Sequence, residues 1–348
     1  MKLSMNQATC LEKSSLEKDL ELCEKYGYDM IEPRTMDGIP NYLKNHTIDE
    51  LAAWFKNHKV KQLAFNTLCF FNNRTPEDYQ NVLQELRQMC EWGKKIGCKT
   101  VITVPTVDLK KVTRQEIHKS AVKCLKEMGA IAAEYGMRIS VEFIGHPAAS
   151  INTFGEAWSI IEEVDMDNVG ITLDCFHFHG MGSKLEDLAK ADGKKIFIVH
   201  LNDTEDFPIG SLLDEDRVWP GTGCINLDEI LQTLKKIGYQ VGTGDMMGLP
   251  GQTLDDLACD IEFFRHMDID MIGMGPYVVH HNTPIGKHVL AAGGDSKEAQ
   301  NQRFILGLNM IAVTRLYLKN VNIAATTALQ ALNPLGRELG LLAGANIL

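Results

Sequence analysis

The sequence predicts an α/β fold of the TIM (β/α)8-barrel type, and three observations carry that prediction. A phrase of charged helix, glycine and short apolar strand recurs, as in "CEKYGYDMIEPRT", "GKKIGCKTVITVP", "AAEYGMRISVEFI" and "LKKIGYQVGTGDM". Its strands are rich in Val and Ile and apolar on both sides, as strands covered on both faces of a parallel sheet must be. The glycine-rich turn that an open dinucleotide-binding sheet needs after its first strand is missing from "KLSMNQATCLEKSS".

Taken in order, strands are expected near 2–8, 29–35, 60–69, 98–105, 137–144, 168–177 and 195–203. The helices between them announce their ends. Gly27, Gly97, Gly136 and Gly238 stand where a helix C-terminus needs a left-handed residue. Thr47–Glu50, Thr113–Glu116, Thr153–Glu156 and Ser183–Glu186 have capping-box spacing. Three more strands are expected near 241–248, 269–275 and 320–326, two beyond what one barrel holds. Composition shifts at the same point, since glycine and methionine become frequent after Tyr239. The expected organisation is a seven-unit barrel over 1–240, then incomplete βα units over 241–348. Segment 241–248 is the candidate for the eighth strand.

The chain has 348 residues and a net charge of −11, with no basic run, which argues against nucleic acid and anionic membranes as partners. The N-terminus lacks the apolar stretch of a signal peptide, and no segment is long and apolar enough to span a bilayer. An acidic, soluble, cytoplasmic protein is expected. The apolar end "GANIL" reads as a truncated terminus. The nine cysteines are scattered singly, so no zinc knuckle, disulfide framework or iron–sulfur cluster is expected from them.

Three polar residues end three consecutive apolar strands: Glu142 in "ISVEF", Asp174 in "GITLDCFHFH" and His200 in "IFIVHLND". Strand C-termini form the active face of a (β/α)8 barrel, so these side chains should converge. Two carboxylates and an imidazole suit Mn²⁺, Zn²⁺, Co²⁺ or Mg²⁺. Taken singly, each reads as a polar residue capping a loop; together they read as metal ligands. His177 follows Asp174 by three residues, Arg217 lies in "DEDRVWPGTG", and His146 follows Glu142 into a loop. For each of these the bland alternative is a surface or loop role.

At these residues the first 240 positions resemble the xylose-isomerase-like family of sugar isomerases and epimerases, and within it the keto-inositol (inosose) isomerases. The resemblance rests on "LELCEKYGYD", "VEFIGHP", "NTFGEAW", "DNVGITLDCFHFHGMGS", "ADGKKIFIVHLNDTEDFPIG" and "DEDRVWPGTG". It implies a TIM barrel binding a divalent metal through Glu142, Asp174, His200 and a second glutamate. It also implies that His177 and Arg217 contact a small polyol or ketose substrate. The implied chemistry moves a proton between adjacent carbons through an enediolate, with Glu142 as one base. Counting forward from Gly238, the family's final glutamate falls on Met246. Asp245, one residue earlier, is the alternative fourth ligand, reached only through a one-residue slip or a bulge at Gly242 and Gly244. Impaired activity is therefore expected.

From about Val241 the chain resembles the C-terminal part of radical S-adenosylmethionine enzymes, nearest the iron-only hydrogenase maturases related to biotin synthase. The carrying stretches are "VGTGDMMGLPGQTLDDLACDIEFFRHMDIDMIGMGPYVVHHNTPIG" and "VTRLYLKNVNIAATTALQALNPLGRELGLLAGANIL". The CxxxCxxC that holds that family's cluster is absent, so this chain alone is not expected to perform radical chemistry. The chain thus reads as a chimera. The residues leave two alternatives to an isomerase: a maturase-like fragment relying on another protein's cluster, and a non-catalytic barrel that binds a polyol or metal.

Overall fold

The computed structural model describes residues 3–10 and 13–348, so position 2 of the first expected strand lies outside the described residues. The chain divides into two compact units, one ending at Gly238 and the other running Tyr239–Leu348.

In the first unit parallel strands alternate with helices. They are β1 (Ser4–Asn6), β2 (Met30–Glu32), β3 (Lys61–Gln62), β4 (Phe65–Cys69), β5 (Thr100–Val104), β6 (Arg138–Glu142), β7 (Val169–Asp174) and β8 (Ile196–His200). Ladders join them in the orders β1-β2-β3 and β4-β5-β6-β7-β8. The expected strand 60–69 is divided into β3 and β4, with a parallel bridge from Arg34 to Asn66 continuing the pairing beyond β2. Among the inward residues, Ala64, Ile102 and Ile198 form one buried cluster. A short antiparallel pair, β9 (Asp203–Thr204) with β10 (Arg217–Val218), follows β8 and has no counterpart in the expected strands.

Local chemistry explains the helices. Thr47 and Thr113 each accept from the N–H three residues on, while Glu50 and Glu116 reach back, completing the expected capping boxes. Helix Pro76–Ile96 starts on Thr75 with proline in its first turn. It ends on Gly97 at φ 84°, a conformation glycine adopts without a Cβ clash. Its buried Val82, Leu83, Leu86, Met89, Cys90 and Gly93 recur every three or four residues, the spacing of one helix face. Ser183 departs from expectation. Helix Leu185–Leu188 begins after Lys184 without a side-chain cap, and Ser183 Oγ accepts the Phe154 N–H instead.

The second unit holds β11 (Gly242–Met247), β12 (Met271–Pro276) and β13 (Asn322–Ala325), parallel and in that order. Helices Leu254–His266 and Lys297–Leu318 are the longest in this unit. All three expected late strands form. Segment 241–248, the candidate for the eighth strand, forms β11, which runs in register with β12 from Gly242–Met271 to Met247–Pro276. Glycines on both strands let these backbones pack closely: a Cβ on Gly244 would lie 2.6 Å from the Gly273 carbonyl.

All nine cysteines are free, five of them buried. Among the described residues, no helix is long and apolar enough to cross a membrane.

Candidate metal centre

Glu142, Asp174 and His200 are the last residues of three adjacent strands, β6, β7 and β8. The ladder pairs Asp174 with His200 directly. Strand register alone therefore brings these side chains to one end of the sheet. Asp174 also caps the short helix Cys175–Gly180, accepting the His177 N–H at 3.1 Å. That turn folds His177 back beside the strand ends. One ligand atom each from Glu142, Asp174 and His177 lie within 4.8 Å of one another, and all three residues are buried.

His200 sits among carboxylates. Its Nδ1 is 2.9 Å from Glu142 Oε1 and 3.5 Å from Asp174 Oδ2, and its Nε2 is 3.0 Å from Glu32 Oε2. Burial disfavours a charged imidazole, but Glu32 and then Glu142 outweigh it and lift the His200 pKa well above the usual histidine value. Asp174 is treated likewise in the opposite sense. Burial would raise its pKa, yet Arg217, His177 and His200 hold it well below the usual carboxylate range.

Arg217 reaches the site from β10. Its Nη1 donates to both Asp174 oxygens, at 3.1 and 3.0 Å, and its guanidinium lies 4.1 Å above the Phe176 ring. Its Nη2 is 3.3 Å from His177 Nε2. A guanidinium can only donate, so that nitrogen accepts and the ring proton lies on Nδ1. His177 Nδ1 is buried without a partner, a donor left for an oxygen atom that the protein does not supply. Asn202 completes the setting, donating to Asp174 Oδ2 at 3.0 Å and accepting the Phe176 N–H at 2.7 Å.

The donor set fits a divalent cation of intermediate hardness: carboxylate oxygens on one side, imidazole nitrogen on the other, and a charged guanidinium anchoring the carboxylate that both share. Glu142, Asp174, His177, His200 and Arg217 are brought together. His146 and Asp245 are engaged locally. His146 Nδ1 accepts the Ala148 N–H at 3.2 Å. Asp245 belongs to the second unit, where its Oδ1 accepts the Met246 N–H at 2.6 Å. The residue that sequence reasoning missed is Glu32, which ends β2 as Glu142 ends β6. The signal was present in "DMIEP", an acid closing a short apolar strand, but an isolated acid there reads as an ordinary loop residue.

The loop carrying Arg217 hangs on one buried carboxylate. Asp203 Oδ1 accepts the N–H groups of Thr204 and Ile225, each at 2.9 Å, and Oδ2 those of Gly221 and Gly223, each at 3.0 Å. At Gly223 a Cβ would fall 2.5 Å from Asp203 Oδ1. Burial pushes the Asp203 carboxyl up, but these four donors, Ile225 foremost, hold its pKa below the aspartate norm. The depressed value sets the sign. The contribution of Asp203 is fully present above the unfolded value, near 4, and is lost as pH falls through the folded one. Asp203→Asn is expected to cost about 1–3 kcal/mol at neutral pH. In urea titrations the gap between the wild-type chain and the variant should narrow from about pH 7 to about pH 3. A gap that is constant across that range would show that the charge of Asp203 contributes nothing.

A model of the xylose isomerase-like TIM barrel family matches residues 20–241. The chain belongs to that family. Among its relatives, the inosose isomerases of Bacillus licheniformis and Bacillus subtilis (strain 168) are each 56% identical over 239 residues, 69% of this chain and 86% of each relative. A crystal structure described as IOLI protein with a binding zinc atom superposes with a TM-score of 0.68 at 54% identity, covering 69% of this chain and 86% of that one. A shorter match is of another kind. The [FeFe] hydrogenase maturase subunit HydE of Thermotoga maritima is 43% identical over 132 residues, 38% of this chain and 35% of that protein. Against the xylose isomerase-like fold, the strands whose ends carry Glu142, Asp174 and His200 all lie within the matched range.

Proposed function

We propose that the barrel unit is a divalent-metal-dependent isomerase of a keto-inositol or related sugar, with Glu142, Asp174 and His200 as cation ligands. The observation that carries this reading is the convergence of these three strand-end side chains in a barrel unit 56% identical to an inosose isomerase over 239 residues. The zinc of the similar solved structure supports a divalent cation there.

A bound cation would supply Lewis acidity toward a substrate carbonyl. The chain's own residues do the rest. Glu142 takes a proton from the carbon beside the carbonyl and returns it to the neighbouring one. His177 Nδ1–H donates to a substrate oxygen, and Arg217 holds Asp174 and the His177 ring in the orientation that makes this donor available. Glu32 fixes His200 from behind by holding Nε2, leaving Nδ1 toward the shared site. By the count from Gly238 the family's second base falls on Met246, and on that reading turnover is expected to be weak.

The test is exchange of substrate carbon-bound hydrogen with D2O, followed by NMR on a keto-inositol with Mn²⁺, Zn²⁺, Co²⁺ and Mg²⁺ in turn. Slow exchange that needs a cation is the expected result, and the cation that supports it fastest identifies the metal. Tight cation binding with no exchange under any of the four would make the unit a binding barrel and end the isomerase reading. Glu32→Gln is expected to weaken cation binding about 10- to 100-fold, the usual effect of losing the partner of a ligating histidine. Unchanged affinity in a competition titration would remove Glu32 from the site.

For residues 241–348, the match to the hydrogenase maturase supports descent from a radical S-adenosylmethionine enzyme's C-terminal part. Without a CxxxCxxC in the chain, this segment is read as structural only.

A further inference from the structure

The first unit has a second concave feature, at the opposite end of its strands from Glu142 and His200. A cavity of about 680 Å³ opens beside Met30, Lys61, Thr100 and Arg138, the first residues of β2, β3, β5 and β6. From Arg138 to Glu142 along β6 is four residues, roughly 13 Å at the rise of a strand. In barrels of this type the N-terminal end of the strands serves stability and the chemistry sits at the other end. The proposed isomerase reaction therefore makes no use of this cavity, and a ligand bound here is independent of that reaction.

Its charge is one-sided. Lys56, Lys61, Lys94, Lys95, Lys99 and Arg138 line it, and none of its described lining residues is acidic. This concentration of cations occurs in a chain whose net charge is −11, so bulk composition does not account for it. Some of these groups have protein partners. Lys95 pairs with Asp49 at 2.8 Å, Lys61 donates to the carbonyls of Phe55 and His58, and Arg138 donates to Thr100 Oγ1 at 2.8 Å. Among the described residues, no hydrogen bond or ion pair engages the side-chain ammonium groups of Lys56, Lys94 or Lys99. Like charges converging on one hollow repel, and an anion between them relieves that repulsion.

Two further observations narrow the ligand. Gln62, also in the lining, is 6% exposed, and its Nε2 is buried with no hydrogen-bond partner. The lining residues thus include one amide nitrogen without a partner, in a fold that satisfies nearly all such groups. The rest of the wall is apolar, formed by Ala52, Ala53, Phe55, Leu63 and Ile96. The volume lies within the range of small-molecule sites, well beyond what a single inorganic anion fills.

We propose that this cavity binds a small organic phosphate, its phosphoryl oxygens held by Lys56 and Lys99 and its carbon skeleton packed against the Ala52–Phe55 wall. The site is separate from the strand-end carboxylates and uses none of their residues.

The experiment is calorimetric titration of the full chain, treated with a chelator to remove cations, at low ionic strength. Phenyl phosphate and inorganic phosphate are the probes. Phenyl phosphate is expected to bind, and to bind more tightly than inorganic phosphate. Lys56→Glu/Lys99→Glu is expected to weaken it about tenfold or more, the scale of one lost charge-assisted hydrogen bond. Arg217→Gln, at the far end of the strands, should leave phenyl phosphate affinity unchanged. Absence of binding to the wild-type chain, equal affinity in the double lysine variant, or equal affinity for the two probes would overturn the proposal. So would a loss of binding in Arg217→Gln that is folded by circular dichroism, which would locate the anion at the other mouth. Should the double glutamate variant fail to fold, as judged by circular dichroism, Lys56→Gln/Lys99→Gln carries the same expectation.

Discussion

Asp174→Asn is expected to destabilise the barrel unit by about 3–5 kcal/mol, the cost of breaking a buried ion pair from one side. The reason is the number of groups that this carboxylate serves at once. Arg217 Nη1 contacts both of its oxygens, His200 lies 3.5 Å away, Asn202 donates to Oδ2 and the His177 N–H donates to Oδ1. An amide keeps one accepting oxygen and turns the other position into a donor facing Arg217 and Asn202. The His200 imidazole is then left buried beside a neutral group, while Arg217, 27% exposed, keeps water and Asp214 as its partners. Denaturant titration gives the stability change directly. The same variant should lose cation binding, because a carboxamide is a poor ligand beside a donating Arg217. If Asp174→Asn melts like the wild-type chain, the network around it contributes nothing to stability. If it also keeps its cation affinity, Asp174 is not a ligand.

How much of this was legible in the residues depends on what each feature requires. Strand ends are legible because a buried parallel strand must be a short apolar run, so the polar residue that closes it stands out. Glu142, Asp174 and His200 were found that way, and the register of β7 with β8 puts Asp174 beside His200. Glu32 closes a strand of only three residues, too short for its apolar character to single out the acid that ends it. Pairing partners are less legible still. Nothing in "VGTGDMM" states whether it will pair with the strand before it or the strand after it, since a parallel ladder consists of backbone bonds common to all sequences. The glycines at 244 and 273 matter only once the two strands are side by side. The role of Asp203 was hidden for another reason. An aspartate that gathers four backbone donors from two sides of a loop looks, in one dimension, like any acid in "LNDTED".

Glu142→Gln is expected to reduce substrate–solvent exchange by about 10²–10⁴-fold, the span usually contributed by a general base. A glutamine keeps the size of the side chain and one accepting oxygen, so it can still meet His200 Nδ1, now at 2.9 Å from Oε1. What it cannot do is receive a proton. The substitution therefore separates two roles that Glu142 combines in the proposed mechanism, ligand and base. As a ligand, its loss should raise the cation concentration needed for half-maximal exchange; as a base, its loss should lower exchange even when cation is saturating. Measuring exchange across a cation titration reads both. A variant that regains the wild-type exchange rate at high cation concentration would show that Glu142 only helps to bind the ion, and that the proton is moved by another group. Asp174 is a poor candidate for that group, because burial is outweighed by Arg217, His177 and His200, which hold its carboxyl well below the usual carboxylate range. Glu32, the remaining buried carboxylate beside His200, would then be the residue to replace next.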